Sequence, residues 1–169
     1  MSGKKKLNIG VLPGFLISHI IISIAFVIGF YSRLSLPFSW LYKPLEASLF
    51  ILSNTLFISF LYLIFGFLYA LTTKALPNNK LRRLVSLLPF PLIFLGIWYF
   101  CLHSYVNGAD GTIWLLYYVI NIPSGSIIGT MSHSADIQSP LLAVSAAATS
   151  VFFFIGMLVK QYAIPYVEE

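Results

Sequence analysis

Residues 47–73 read ASLFILSNTLFISFLYLIFGFLYALTT, a run that contains no Asp, Glu, Lys or Arg. Coiled as a helix at 1.5 Å per residue it is about 40 Å long, more than the roughly 30 Å hydrocarbon core of a bilayer. Three further uncharged runs, Val11–Ser32, Leu84–Ala109 and Leu141–Val159, meet the same test. Apolar runs of this length cross lipid as helices, because every backbone donor and acceptor is then paired within the segment. The expected fold is an all-α integral membrane protein. It is a four-span helical bundle forming a single polytopic domain over residues 1–169, with spans at about 11–32, 47–73, 84–105 and 141–160.

Composition agrees: 59% of residues are hydrophobic, 17% aromatic and only 9% charged, against about 25% charged in soluble domains. Four spans consume most of 169 residues, leaving no room for a soluble domain of ordinary size. The formal charge of +5 comes from bases at span ends rather than along one face. We therefore read these residues as topology determinants, with the bilayer and no nucleic acid as their partner.

Lys and Arg in short loops near span ends are retained on the cytoplasmic side. Four spans put Lys4, Lys5, Lys6, Lys74, Lys80, Arg82, Arg83 and Lys160 on one side and leave only Arg33 and Lys43 opposite. Both termini are expected in the cytoplasm and the protein in the cell (inner) membrane. Residues Arg33–Glu46 and about Gly108–Pro140 then lie on the outer face. The first run outlasts the 7–15 residues of a secretory h-region and ends in Tyr31, Ser32 and Arg33, so an uncleaved anchor is expected.

Thr112–Met131 is ambiguous. Ile113–Ile122 is apolar enough to enter lipid, whereas Asn121, Pro123, Ser124, Gly125 and Ser126 are polar and helix-breaking. Three outcomes compete: an interfacial helix with Trp114, Tyr117 and Tyr118 at headgroup depth, a re-entrant hairpin turning at Pro123–Gly125, or a fifth, kinked crossing. A fifth crossing would move only Lys160 outward, so charge does not decide between them.

Small residues let helix backbones approach in lipid. Ala143/Ala147 and Ala146/Ser150 in the last span and Ala25/Gly29 in the first have small-x-x-x-small spacing, which predicts those two spans at the centre of the bundle. The second span, with Phe50, Phe57, Phe60, Phe65 and Phe67, reads as lipid-facing apart from Ser53, Asn54 and Ser59.

Functional candidates are few. His19, inside the first span, has no carboxylate in any span core, and a neutral His bonded to a helix neighbour is expected. A shared haem with His103 is ruled out by depth, since the two differ by about 16 Å along the membrane normal. His103, Asp110, His133 and Asp136 fall in one compartment, and His133-x-x-Asp136 has helical i, i+3 spacing. The spacing matches no zinc signature, and a plain loop is the expectation, with no metal and no cofactor. Cys101 is the only cysteine, which excludes paired-thiol redox chemistry. No phosphate loop, zinc helix or nucleophile elbow occurs, so no catalytic residue is assigned and no enzyme is expected. The candidate interface or pathway residues are Asn54, Asn121, Trp114, Tyr117 and Tyr118, with Ser124 and Ser126 beside the Pro123 break. Two functions follow: an accessory, assembly or immunity-type partner of another membrane component, or a homo-oligomeric channel or transporter.

Overall fold

The computed structural model describes residues 11–31, 47–72, 88–130 and 137–163. Its long helices are α1 (Val11–Tyr31), α2 (Ala47–Thr72), α3 (Pro89–Val106) and α6 (Leu141–Ala163); between the last two lie a 3-10 turn (Gly111–Ile113), α4 (Trp114–Ile120) and α5 (Ile122–Thr130). Among the described residues four helices are long and apolar enough to cross a membrane. The protein is a multi-pass helical membrane bundle. Residues 84–87, where the third span was expected to begin, lie outside the described residues, and α3 starts at Pro89, where the missing N–H costs no helical hydrogen bond. It ends where the Asn107 N–H turns back to His103 and Tyr105, followed by Gly108 at φ +94°, a left-handed backbone that favours glycine.

Side-chain neighbours give the direction of each span. His19 of α1 meets Tyr62 of α2 and Phe94 of α3. One turn earlier on α1, Phe15 meets Phe90 of α3 and Phe153 of α6, and Gly14 lies against Tyr69 of α2. Ile120, whose carbonyl His19 reaches, is followed by Asn121, which approaches Ala146 of α6. Stepping from the His19 level to the Phe15 level therefore moves backward along α1 and α3 but forward along α2 and α6. The four spans alternate up, down, up, down.

That alternation settles the ambiguous segment. A fifth crossing between α3 and α6 would run α6 alongside α1, whereas the two are antiparallel. Residues 111–130 enter and leave on one side as a re-entrant hairpin. Its arms pack together: a Cβ on Gly125 would come 2.7 Å from the Tyr118 Cα. The break falls at Asn121 (φ −133°, ψ 65°), two residues before the expected turn at Pro123–Gly125. Pro123 has no N–H for the Val119 carbonyl and its ring would clash there, so α4 cannot run on.

The packing centre differs from the expected one. It is α2 with α6, not α1 with α6, because two glycines remove the side chains that would hold the pair apart. A Cβ on Gly66 would run into the Phe153 carbonyl, and one on Gly156 into the Leu63 carbonyl. The second span is accordingly core rather than lipid-facing: Phe50, Ile51, Asn54, Ile58 and Tyr62 are buried, while Phe60 is exposed. Ala25 of α1 is exposed, so its small-residue spacing does not serve this bundle. Sequence spacing could not reveal this, since Gly66 and Gly156 pair across the chain rather than within one helix.

Candidate functional site

The hairpin apex lies near mid-depth, because His19 sits about 12 Å along α1 from its first residue. Around it the apolar spans hold a polar cluster. His19 Nε2 lies 3.0 Å from the Ile120 carbonyl and Nδ1 2.5 Å from the Tyr62 hydroxyl. A carbonyl only accepts, so Nε2 carries the proton; Nδ1 of the neutral ring then accepts from Tyr62. The carbonyl lies at the end of α4, one of the groups a helix terminus leaves unpaired. His19 supplies its partner. The sequence reading of a hydrogen-bonded His agrees with this geometry, although the partners are Tyr62 and a main-chain oxygen rather than Ser or Asn.

Beyond the break, the Tyr117 hydroxyl donates to Ser124 Oγ at 2.8 Å, and the Ser124 and Ser145 hydroxyls pair at 2.8 Å, tying both hairpin arms to α6. Asn121 Nδ2 makes long contacts with the Tyr117 hydroxyl (3.4 Å) and the Ala146 carbonyl (3.5 Å). Ser126 donates to the Pro123 carbonyl at 2.6 Å, closing the first turn of α5. Asn54 Nδ2 donates to the Phe50 carbonyl at 2.9 Å. Among the described residues Asn54 Oδ1, Asn121 Oδ1, Thr55 Oγ1 and Ser59 Oγ are buried without a hydrogen-bond partner.

The site residues expected from sequence therefore separate. Asn121, Tyr117, Ser124 and Ser126 converge on the hairpin, and Trp114 is buried with its ring against Tyr105 and Tyr117. Tyr118 is half-buried between the hairpin arms. Asn54 belongs to α2, and its side-chain amide is turned back onto its own helix at the Phe50 carbonyl. His103 is exposed on α3, stacked on Tyr99 with ring centroids 6.0 Å apart, with Asn107 donating to its carbonyl at 2.8 Å. His133 and Asp136 lie outside the described residues. Among those described, no group of three or more His, Cys, Asp or Glu gathers as metal ligands. His19 packs at the level of Phe94, roughly 13 Å along α3 from His103, so the two imidazoles cannot share one iron.

Sequence reasoning missed Tyr62 and Ser145. Tyr62 carried a signal, a hydroxyl in the middle of an apolar span that needs a partner when buried. Ser145 carried none that distinguishes it from the other small residues of α6. Compared with known proteins, the chain matches no family model, no curated protein and no solved structure.

Proposed function

We propose that the protein is a non-enzymatic interaction subunit of the cell membrane, an accessory, assembly or immunity-type partner of another membrane protein, with both termini in the cytoplasm. One observation carries this reading: only 11% of α3 is buried inside the chain, against 44% of α2 and 56% of α6. Leu92, Gly96, Tyr99, Phe100 and His103 all face outward from α3. A Cβ on Gly96 would meet nothing within 4 Å, so another helix has room to approach its backbone closely. The orientation rests on the distribution of Lys and Arg. The test is the native mass of the tagged, gently solubilised protein and the identity of what co-purifies. A stoichiometric second membrane protein is the expected result; a homo-oligomer with no companion sinks the reading, and an external signal from a reporter fused after Glu169 sinks the orientation.

A second reading, a homo-oligomeric channel or transporter, is favoured by the unpartnered atoms of Asn54, Thr55, Ser59 and Asn121. Buried polar groups in lipid are costly and mark solute or ion paths. Half-helices meeting at mid-depth, as α4 and α5 do, are how transporters expose backbone groups to a solute. Solute flux into vesicles containing the purified protein, abolished by Asn121→Leu, would put this reading first.

A further inference from the structure

The bond between His19 and Tyr62 divides the bundle into two unlike halves. Toward the hairpin's side, Ser23 lies one turn along α1, and Ser59, then Asn54 and Thr55, lie one and two turns along α2. Asn121 stands at the apex itself. Each of these five side chains has a buried oxygen with no hydrogen-bond partner among the described residues. On the other side of the same level Phe15 packs against Phe90 and Phe153, with ring centroids 4.6 and 5.5 Å apart. There, among the described residues, the one buried side-chain polar atom without a partner is Gln161 Oε1, near the far end of α6. One half is polar and unsatisfied, the other apolar and filled.

Hydroxyls in helices ordinarily turn back on a carbonyl three or four residues earlier, as Ser53 does on Leu49 at 2.7 Å and Ser150 on Ala147 at 3.1 Å. Ser23, Thr55 and Ser59 do not. Asn54 and Asn121 leave an amide oxygen that only accepts, so each needs a donor. All five side chains are at most 7% exposed, so whatever satisfies them is small. It is also uncharged: among the described residues Asp110 and Lys160 are the only Asp, Glu, Lys or Arg, one before the hairpin and one near the far end of α6, and a bare ion at mid-depth would have no countercharge. Water donates to amide oxygens, exchanges hydrogen bonds with hydroxyls in both directions and carries no charge; it is the usual partner of polar groups buried in this way. We infer that the half of the bundle on the hairpin's side holds bound water down to the level of His19 and Tyr62, and that the layer of Phe15, Phe90 and Phe153 closes it off from the opposite face. Such hydration suits an interaction subunit and a transporter alike.

The test is water-edited solid-state NMR on the isotope-labelled, full-length protein in bilayers of chain-deuterated phospholipid. Magnetisation starts on water protons and is read at the Cα and Cβ of nearby residues. Transfer to Ser23, Thr55, Ser59 and Asn121 is expected to build up severalfold faster than transfer to Phe15 and Phe153, which are as deeply buried. Thr55→Val with Ser59→Ala removes two hydroxyls with little change of shape and should slow transfer to Asn121, a residue that the pair leaves intact. Should the double variant misfold, Thr55→Val alone gives the same readout at Ser59. Equal transfer to both halves, transfer to the polar residues no faster than to Phe15, or rates indifferent to the substitutions would overturn the assignment. So would Ser59 and Asn121 resonances that move when potassium in the buffer is replaced by sodium, which would put an ion there instead.

Discussion

His19 has both ring nitrogens committed, one to the hydroxyl of α2 and one to the backbone at the hairpin apex, so removing it strands two buried groups at once. Hydrogen bonds within membrane bundles average about 0.6 kcal/mol and reach about 1.7. Tyr62→Phe, which deletes one of them, should cost about that much. His19→Phe leaves the Tyr62 hydroxyl and the Ile120 carbonyl unpaired and should cost about 1–3 kcal/mol. The double variant should be less destabilised than the sum of the two, since the second change deletes a group already stranded. Unfolding titrations in detergent micelles measure all three, and strict additivity would refute the bond between the side chains. Gly66 gives a second residue-scale test. Gly66→Ala pushes a methyl into the Phe153 backbone and should destabilise by about 1–3 kcal/mol, whereas Gly96→Ala meets empty space and should stay within about 0.5 kcal/mol of the parent. Equal effects at the two glycines would contradict the close α2–α6 approach.

At the scale of elements, the four spans were legible because length and the absence of charge are properties of a continuous run, and α1, α2 and α6 fall within a few residues of their expected limits. Their arrangement was not. Which face of Val11–Tyr31 or Ala47–Thr72 is buried depends on partners far along the chain, and helices apolar all round carry no stripe to announce a face. The same holds for Thr112–Met131: Pro123 and its polar neighbours announced a break, but only the antiparallel run of α6 against α1 distinguishes a hairpin from a crossing. Of the candidate site, Asn121, Tyr117 and Ser124 were legible as polar groups in an apolar setting, while Tyr62 and the Ile120 carbonyl became partners of His19 only through tertiary packing. The hairpin has a direct test. Gly111 and Gly129 are exposed near its two ends, so in a Cys101→Ala background Gly111→Cys and Gly129→Cys should both react with an impermeant maleimide from the side that labels Asn107→Cys. Reaction of Gly129→Cys from the opposite side alone would restore the fifth crossing.

At the scale of the whole molecule, the bundle is lopsided. α2 and α6 are locked by reciprocal glycine contacts, the hairpin is tied to α6 through Ser124 and Ser145, and α3 buries Phe94, Trp98 and Cys101, with its outer face unused by packing among the described residues. Lipid covers such a face at no cost, so exposure alone does not recruit a partner; what favours one is shape. Gly96 opens a notch between Leu92 and the Tyr99–His103 stack, and in lipid, where van der Waals contact replaces the hydrophobic effect as the driving force, a notch that admits a neighbouring backbone gains contacts that hydrocarbon tails supply less well. Gly96→Leu fills that notch from a Cβ that meets nothing within 4 Å. If α3 is the docking face, this variant should keep the parent's unfolding midpoint and lose its co-purifying membrane protein, with affinity falling at least tenfold, which corresponds to about 1.4 kcal/mol. Retention of the companion at parental yield would move the interface elsewhere, and a lowered midpoint would mean that Gly96 serves this chain's own stability. Folding and association are thus separated by one residue.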